Sequence, residues 1–397
     1  MPLSKTYIPY GAYWSSPFCR WQGQLSDQHS LKLAAGAARQ FLEQREIGAD
    51  VFDQVLLGMT VPQHSSFYGA PWLAALLGAP GISGPTIHQA CATSARLVAT
   101  AATEIEVGLN DCVLGIAADR TSNGPHLVYP RPDGFGGKPD AEDWVWDNFS
   151  RDPWAKNSMI QTAENVAAEA GISREEQDEI ALLRYKQYMD GMAKEREFQK
   201  RYMLELELKR GRKLQIVSED EGVFPTTKDG LAKLEPVQEG GTVTFAAQTH
   251  PADGNAGIVL CSEDRAAELS RDKNVKVQVL GFGAHRVEKG FMPKSVVPAA
   301  QNALKQAGIE LKDVAVIKTH NPFAVNDAYF CKQLDIPIEK LNDYGSPLVY
   351  GHPQGPTGLR ATIEMIEQLL LEGGGYGLFT GCAAGDNALA LVLRVDL

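Results

Sequence analysis

The sequence lacks the cysteine pairs that mark small zinc sites and disulfide-rich scaffolds. Its 397 residues include six cysteines, and no two of them form a CxxC pair. The cysteines are scattered along the chain: Cys19, Cys91, Cys112, Cys261, Cys331 and Cys382. We therefore predict neither a zinc site of close cysteine pairs nor a disulfide framework, and we expect a reducing, cytoplasmic environment in which some thiols are free to react.

Long apolar runs and blocks of positive charge are also missing. No stretch approaches the roughly 18 apolar residues that a membrane span requires. The segment MPLSKTYIPYGAYWSSPFC (1–19) has no uninterrupted apolar core of the kind found in secretory signals. The net charge of −11, with no long Lys/Arg block, argues against a nucleic-acid-binding surface. An anionic small molecule can still bind at a local basic patch or a helix N-terminus.

The composition and the order of predicted elements indicate a globular chain with two similar halves. Hydrophobic residues make up 44% of the sequence and charged residues 22%, which is typical of a protein with a full core. Residues 31–46 have helical spacing and precede a predicted strand at 51–59. The last third repeats this order, with a strand, a helix and a strand between residues 275 and 320. The matching order predicts an α/β fold built from two βαβ-rich halves.

The middle of the chain differs from both halves. It is rich in Pro, Trp, Asp and Lys and contains charged amphipathic helices, the first of which begins with a capping-box pattern at Ser173 and Glu176. We interpret it as an excursion that covers a site, and we expect a strand at 242–247 to return the chain to the core. The predicted domains are an N-terminal half (1–120 with 241–270), the excursion (121–240) and a C-terminal half (271–397).

Four short segments place a cysteine or a histidine among small residues at an expected strand end or turn. They are HQACATSA (88–95), HNPFA (320–324), YGHPQGPTG (350–358) and GCAAGDNA (381–388). Small residues allow the backbone to approach a substrate closely. Cys91 lies where a strand or loop turns into a long helix of small residues, a position suited to a nucleophile.

The four segments resemble the thiolase family, in family order and over most of the chain. Further collinear blocks support the resemblance, among them SMIQTAENVAAEAGISREEQDEIAL (158–182) and GGTVTFAAQTHPADGNAGIVLCSEDRA (240–266). The resemblance implies a five-layer α-β-α-β-α thiolase fold with a long capping loop domain. It also implies coenzyme A as a substrate and product, no metal in this chain, and a homodimer or homotetramer. The His-x-x-Phe pattern of HNPF is closest to the sterol-carrier-protein-like branch of the family.

The resemblance also implies roles for individual residues. Cys91 matches the nucleophile that takes up the acyl group as a thioester, His352 matches the base that activates it, and Cys382 matches the second cysteine, which moves a proton at the α-carbon. A thiol with its usual pKa near 8.5 is only a few per cent ionised at neutral pH, so such activation is needed. One oxyanion hole would use His352 with His320, and the other the backbone N–H groups of Cys91 and Ala384.

Four further residues are predicted to contact coenzyme A or the acyl chain: Met159, Thr249, His250 and Phe323. Thr249 keeps a hydroxyl where the family has serine, whereas His250 puts a large polar group where glycine is usual. We hypothesise that His250 points into the acyl pocket and recognises a polar or carboxylated chain. The alternative is that it faces solvent or the excursion.

Two motifs depart from the family pattern. Asn321 replaces an acidic residue that follows the first motif position in related sequences, so a carboxylate partner for His320 is not predicted. The glycine triplet after the second cysteine is replaced by Ala383, Ala384 and Gly385. Backbone donors survive a glycine-to-alanine change if φ stays negative, so we expect the oxyanion hole to persist with less space beside it.

We therefore predict a thiolase that cleaves a specialised 3-oxoacyl-CoA, aromatic or dicarboxylic, through an acyl-cysteine intermediate. Aromatic residues of the excursion are candidates for lining an aromatic-tolerant pocket, with packing as the alternative: Trp144, Trp146, Phe149 and Trp154. Alternative functions are an acetyl-CoA C-acetyltransferase working in the condensation direction and a non-catalytic thiolase-fold subunit of a complex. A small zinc-ribbon/OB-fold companion subunit is a further possible partner. Cys382 disfavours a decarboxylating ketosynthase, and the absence of Glu in the ten residues before Cys91 disfavours a hydroxymethylglutaryl-CoA synthase.

Overall fold

Buried strands from both ends of the chain form the framework of the fold. The computed structural model describes residues 2–397. Its strands are β1 (Tyr7–Ile8), β2 (Tyr13–Ser15), β3 (Cys19–Arg20), β4 (Gln54–Gly58), β5 (Thr86–Ile87), β6 (Cys112–Arg120), β7 (His126–Tyr129), β8 (Asp140–Asp143), β9 (Leu206–Arg210), β10 (Lys213–Val217), β11 (Ala252–Cys261), β12 (Lys276–Arg286), β13 (Val314–His320), β14 (Gly375–Ala383) and β15 (Asn387–Asp396).

Helices connect these strands and cover both sides of the sheet. They are α1 (Ser30–Gln44), α2 (Gly69–Leu76), α3 (Thr93–Glu106), α4 (Trp146–Ser150), α5 (Met159–Ala170), α6 (Arg174–Gly191), α7 (Ala193–Arg196), α8 (Lys228–Leu231), α9 (Glu263–Leu269), α10 (Val296–Ala307), α11 (Ala324–Leu334), α12 (Pro347–Tyr350) and α13 (Gly355–Leu371). Within residues 2–397, none of these helices combines the length and the hydropathy needed to cross a bilayer.

The main sheet runs through both halves of the chain in the order β13-β14-β15-β12-β1-β11-β6-β4-β5. The short strand β1 joins the halves, because Tyr7 pairs antiparallel with Cys261 of β11 on one side and with Gln278 of β12 on the other. Each half also contains parallel pairing at its edge: β4 with β5 and β6 in the N-terminal half, and β13 with β14 in the C-terminal half. Such parallel pairs need the crossover helices that the sequence pattern indicates.

The predicted layered arrangement is confirmed. Helices α1 and α2 pack on the outside of the N-terminal strands, and α10 and α11 on the outside of the C-terminal strands. Helices α3 and α13 lie between the halves and contact strands of both. Residues 355–369 of α13 are buried on every side, as a helix enclosed by two sheets must be. The N-terminal half, which contains Cys91, and the C-terminal half, which contains His352, therefore meet through these two central helices.

The boundaries of several elements differ from the sequence predictions. The strand predicted at 51–59 is shortened to β4 (Gln54–Gly58). The prediction of a strand at 242–247 is wrong, because these residues form a turn. The first backbone N–H groups of this segment bind a side chain and not a neighbouring strand. The Glu164 carboxylate accepts hydrogen bonds from the N–H groups of Thr242, at 2.9 and 3.0 Å, and of Val243, at 2.8 Å. The predicted helix start is confirmed, since Ser173 Oγ accepts from the N–H of Glu176.

The elements between β6 and β11 are attached to the core by buried ion pairs. Arg184 of α6 donates from Nε to Asp327 of α11 at 2.9 Å, and both side chains are completely buried. Arg360 of α13 binds both oxygens of Asp220, at 2.6 and 2.8 Å, and its guanidinium lies over the ring of Tyr350. Such pairs fix the position of a covering segment, although their net contribution to stability is reduced by desolvation. The exact domain boundaries stay a prediction.

Removal of Arg184 should strongly destabilise the protein. We expect Arg184→Leu to lower the free energy of unfolding by about 3–5 kcal/mol, because Asp327 would stay buried without its partner. Urea-induced unfolding measures this loss. The double variant Arg184→Leu/Asp327→Leu should recover part of the stability, and Lys194→Ala, at an exposed ion pair, should change it by less than about 0.5 kcal/mol. An Arg184→Leu variant as stable as the native chain would contradict this account.

Candidate active site

Cys91 is held at the start of the central helix α3 by an unusual backbone turn. The residue before it, Ala90, has a φ of +43°, a conformation that non-glycine residues rarely adopt and that often marks functional sites. The Thr93 hydroxyl stabilises this turn, since it donates to the Ala90 carbonyl at 2.6 Å and accepts from the Gln89 N–H at 2.8 Å. The positive end of the α3 dipole lies next to the Cys91 thiol, where it favours a thiolate.

His352 lies against Cys91 from the other half of the chain. Its Nε2 is 3.1 Å from Cys91 Sγ, and its Nδ1 is 2.6 Å from Thr357 Oγ1. If Nδ1–H donates to the Thr357 hydroxyl, the lone pair of Nε2 points at the thiol, which is the tautomer that a base requires. Thr357 lies in the first turn of α13, so the central helix orients the ring.

Burial keeps this pair uncharged at rest. It raises the pKa of the Cys91 thiol to about 12, although the backbone N–H groups of Ala384 and Cys91 act in the opposite direction. Burial also lowers the pKa of His352 well below its usual value, and the neighbouring His320 lowers it further. The resting pair is therefore a neutral thiol beside a neutral imidazole that is placed to accept its proton.

His320, at the end of β13, completes a cluster of three side chains. Its ring centroid lies 4.1 Å from that of His352, and one ligating atom from each of Cys91, His320 and His352 lies within 4.8 Å of the other two. Both ring nitrogens of His320 are buried without a hydrogen-bond partner, and burial lowers its pKa to about 3. Because buried polar atoms are normally paired, a neutral imidazole left free in this way is available to a ligand.

A carboxylate does lie near His320, on Asp327, six residues beyond Asn321, where it was sought. Asp327 accepts from Asn321 Nδ2 at 2.7 Å and from the Thr319 hydroxyl at 2.6 Å. Asn321 Oδ1 in turn accepts from the N–H of Leu348. The carboxylate thus fixes the backbone on both sides of His320 and does not bond to the ring, which agrees with the two free ring nitrogens.

Cys382 lies at the end of β14, completely buried and close enough to Cys91 for Cys91 to affect its ionisation. Burial, followed by Cys91, raises the pKa of the Cys382 thiol well above its usual value. Asn326 Nδ2 lies 3.3 Å from Cys382 Sγ and opposes this shift. Sequence reasoning missed Asn326, which follows the HNPF motif by three residues and carries no motif of its own.

The turn after Cys382 shows why alanine can replace glycine there. The left-handed positions of this turn fall on Gly385, with a φ of +84°, and Asp386, with a φ of +59°. Ala383 and Ala384 do not have positive φ values, so their side chains cause no strain. The backbone N–H of Ala384 points at Cys91 Sγ, as its effect on the thiol requires.

Asp119 is a second residue that the sequence analysis missed. Its buried carboxylate accepts from the N–H groups of Thr60, Val61 and Gly355, each at 2.8–2.9 Å. It therefore ties the loop after β4, the end of β6 and the first residue of α13 together beside Cys91. Burial raises the pKa of Asp119 to about 7 despite these bonds. An acidic residue at the end of the apolar run DCVLGIAADR was the available signal.

The four predicted substrate-contacting residues fall in different surroundings. His250 lines a cavity of about 290 Å³, together with Phe224, Phe245 and Gln248. The backbone oxygen of His250 accepts from the N–H of His352, so the cavity adjoins the cluster, and its Nε2 is buried without a partner. His250 therefore does not face open solvent, but it does face the excursion, which supplies Gly222, Phe224 and most of the cavity lining. Its role in an acyl pocket stays a prediction.

The other three residues predicted to contact coenzyme A or the acyl chain do not line this cavity. The Thr249 hydroxyl donates to the Pro347 carbonyl at 2.6 Å, and Phe323 and Met159 pack against the C-terminal core. Phe224 of the excursion lines the 290 Å³ cavity, but the four aromatic residues named as candidates, Trp144, Trp146, Phe149 and Trp154, do not. Trp144 donates to the Thr60 carbonyl, Trp146 packs on Trp21, and Trp154 is largely exposed. The packing interpretation of these aromatic residues is thus supported over the aromatic-lined pocket.

The remaining cysteines are free thiols outside the cluster. Cys19, Cys112, Cys261 and Cys331 are buried in the hydrophobic cores. Burial raises the pKa of Cys331 to about 12, and it has no histidine partner of the kind that Cys91 has.

Comparison with known proteins identifies relatives over nearly the whole chain. The thiolase N-terminal domain model matches residues 13–264, and the thiolase C-terminal domain model matches residues 273–395. Human mitochondrial 3-ketoacyl-CoA thiolase is 29% identical over 387 residues, which cover 96% of each chain.

Solved structures of relatives superimpose closely. The structure of Bacillus anthracis acetyl-CoA acetyltransferase has a TM-score of 0.91 and 26% sequence identity, with 99% of each chain covered. The human mitochondrial 3-ketoacyl-CoA thiolase in complex with CoA has a TM-score of 0.90 and 27% identity, also with 99% of each chain covered.

The pairing of Cys91 with His352 should be visible in its reactivity. We expect iodoacetamide to alkylate Cys91 faster than any other cysteine, because His352 accepts the thiol proton. His352→Gln should slow this reaction at least about tenfold at pH 7. In that variant the rate should rise about tenfold for each pH unit from 7 to 9, since the pKa of about 12 lies far above this range.

Peptide mass mapping after timed quenching gives the rate at each cysteine. Cys331→Ser is the matched control, because it removes a buried thiol of similar pKa outside the cluster and should leave alkylation of Cys91 unchanged. Equal labelling rates at Cys91 and Cys331 in the native chain would contradict the proposed activation.

Proposed function

This chain belongs to the thiolase family of acyltransferases, and we propose that it catalyses the CoA-dependent cleavage of a 3-oxoacyl-CoA with Cys91 as the nucleophile. The observation that carries the proposal is the 3.1 Å contact between Cys91 Sγ and His352 Nε2. A thiol this close to an oriented imidazole is the arrangement that covalent acyl transfer requires. Binding of coenzyme A is supported by the human relative, whose structure contains CoA.

In the first step, Cys91 attacks the 3-oxo carbon of the substrate while His352 Nε2 takes up the thiol proton. The tetrahedral oxyanion accepts hydrogen bonds from the backbone N–H groups of Cys91 and Ala384. These groups already point toward Sγ, so the donors are in place before charge develops.

Cleavage of the bond between the 3-oxo carbon and the α-carbon leaves an acyl group on Cys91 and a CoA enolate. His320 and protonated His352 donate to the enolate oxygen, and the free nitrogens of His320 suit it to this role. Cys382 gives its proton to the α-carbon, which releases acetyl-CoA and leaves the shortened acyl group on Cys91. Asn326 Nδ2 donates a hydrogen bond to Cys382 Sγ and so stabilises the thiolate that remains there.

Free CoA then removes the acyl group from Cys91. The proton of the incoming thiol restores Cys382, and the proton held by His352 returns to Cys91 as its thiolate leaves. Every proton and bond is accounted for, and the same residues serve the reverse, Claisen condensation. An acetyl-CoA C-acetyltransferase working in that direction is therefore the alternative enzymatic function.

The substrate is a specialised one, aromatic or dicarboxylic, and the cavity favours a dicarboxylic acyl chain. His250 Nε2 is buried and unpartnered on the cavity wall, so a hydrogen-bonding group of the ligand would satisfy it. Burial lowers the pKa of His250, so its imidazole is neutral, and it donates to a ligand in the tautomer that carries the proton on Nε2. Phe224 and Phe245 line the same cavity and supply the apolar surface that an aromatic chain would need.

His320 and Phe323 support a place close to the sterol-carrier-protein-like branch. With that position, the proposal includes a cytoplasmic homodimer or homotetramer and a small zinc-ribbon/OB-fold companion subunit. Light scattering of the purified chain measures its oligomeric state. Light scattering of the tagged chain after affinity capture from its source cells tests for the companion subunit. The third possibility, a non-catalytic subunit, has little support from a site in which all four predicted side chains converge.

Replacement of Cys382 should separate acyl transfer from carbon–carbon cleavage. We expect Cys382→Ala to accept an acetyl group from acetyl-CoA on Cys91, because thioester exchange needs no proton at the α-carbon. The same variant should lose at least about 100-fold in the rate of 3-oxoacyl-CoA cleavage, since it lacks the general acid. Intact-protein mass and chromatography of the CoA esters measure the two reactions.

The controls for this experiment are Cys91→Ser, which should lose both reactions, and Cys331→Ser, which should lose neither. A Cys382→Ala variant that cleaves 3-oxoacyl-CoA at the native rate would contradict the assignment of Cys382. A native chain that neither accepts acetyl groups nor cleaves any 3-oxoacyl-CoA would favour the non-catalytic function.

Selectivity for a carboxylated acyl chain should depend on His250. We expect His250→Ala to lower kcat/KM for a dicarboxylic 3-oxoacyl-CoA about 10- to 100-fold, with a much smaller effect on an unsubstituted chain of equal length, because one buried hydrogen bond to a charged group is lost. Gln248→Ala, on the same cavity wall, is the control for a general change of shape. Unchanged selectivity in His250→Ala would eliminate this role.

A further inference from the structure

We propose that Cys91, His320 and His352 form a binding site for one zinc ion, and that this ion blocks the nucleophile. One ligating atom of each side chain lies within 4.8 Å of the other two. Thiolate and imidazole are the ligands that zinc prefers in proteins. The ion is an inhibitor in this proposal, and the reaction described above does not require it.

The geometry needs only a small adjustment to close around an ion. Zn–S and Zn–N bonds of about 2.3 and 2.0–2.1 Å place the ligand atoms of a tetrahedral site about 3.4–3.6 Å apart. The pair formed by Cys91 Sγ and His352 Nε2 is already at 3.1 Å. No separation in the cluster exceeds 4.8 Å, so each pair lies within about 1.4 Å of the tetrahedral value.

His320 supplies the third ligand, in addition to Cys91 and His352. It is completely buried, and neither ring nitrogen has a hydrogen-bond partner. It can therefore ligate an ion without giving up an existing bond. Its neighbours Asn321 and Thr319 are held by Asp327, so the end of β13 presents the ring to Cys91 in a fixed position.

His352 has the outer contact that metal-binding histidines commonly use. Its Nδ1 is bonded to the Thr357 hydroxyl, which leaves the Nε2 lone pair facing Cys91. Such a partner on the second nitrogen fixes the tautomer and the ring orientation of a ligand. The cluster supplies three protein ligands, and a water or a small thiol can take the fourth position, as in zinc sites that keep one position open.

Binding of the ion is a ligand exchange in which charge and atoms balance. The Cys91 S–H bond breaks, its proton passes to solvent, and a Zn–S bond forms with no change of oxidation state. The ion then occupies the lone pairs of both the nucleophile and the base. An acyl-CoA and a zinc ion therefore exclude each other, and a chelator restores the free site.

Cobalt(II) is the probe for this site, because its complexes with thiolates and imidazoles absorb light. We expect the purified full-length chain, without any acyl-CoA, to bind one equivalent and to develop a thiolate-to-cobalt charge-transfer band with the visible bands of a four-coordinate site. Zinc added afterwards should remove these bands. Cys91→Ser should lose the charge-transfer band, and His320→Asn should weaken binding at least about tenfold. Cys331→Ser, the matched control, should bind cobalt as the native chain does.

A second measurement needs no variant and so does not depend on the folding of one. Zinc at one equivalent should protect Cys91 of the native chain from iodoacetamide while Cys331 reacts as before, and a chelator should remove the protection. The proposal is overturned if no charge-transfer band appears at saturating cobalt, if the band persists in Cys91→Ser, or if zinc leaves alkylation of Cys91 unchanged. Because neither measurement uses an acyl-CoA, a chain without thiolase activity could still bind the ion, and an active thiolase could fail to bind it.

Discussion

The contact between Cys91 and His352 is the interaction on which the rest of the structure depends. The two residues are 261 positions apart and come from different halves of the chain. They meet because α3 and α13 lie side by side between the two groups of strands. Asp119 then binds the first residue of α13 and the loop beside Cys91, so the same carboxylate fixes both sides of the contact. The joined sheet and the central helix layer thus hold Cys91 Sγ and His352 Nε2 at 3.1 Å from each other.

Burial sets the electrostatic character of this site. It disfavours charge on Cys91, His352, His320 and Cys382 alike, so the resting cluster is neutral. Charge appears only as protons move between neighbouring groups, and fixed donors such as the Ala384 N–H then act in a medium of low dielectric, where they are most effective. The same arrangement, two neutral imidazoles around a thiol, is also what a soft cation would bind. Acyl transfer and metal inhibition are two consequences of one cluster.

The resemblance of four short motifs to the thiolase family predicted the fold and the four side chains that converge, Cys91, His320, His352 and Cys382. The positions that sequence reasoning missed share a different property. Asn326 and Asp119 act through contacts with residues distant in the sequence, and such contacts form no motif. The strand expected at 242–247 failed for the same reason, because Glu164 takes the backbone donors that a neighbouring strand would need. Residue type alone also could not decide which side chains line the cavity, and of the predicted substrate contacts His250 does so.

The central claim is that Cys91 carries the acyl group during carbon–carbon cleavage, and trapping that intermediate tests it most directly. The native chain would be mixed briefly with a panel of dicarboxylic, aromatic and unsubstituted 3-oxoacyl-CoAs, quenched in acid and mapped by peptide mass. The account predicts an acyl adduct on the peptide that contains Cys91, its mass equal to the cleaved acyl group, and its loss when free CoA is added before the quench. An adduct on another residue, or cleavage that proceeds in Cys91→Ser, would contradict it.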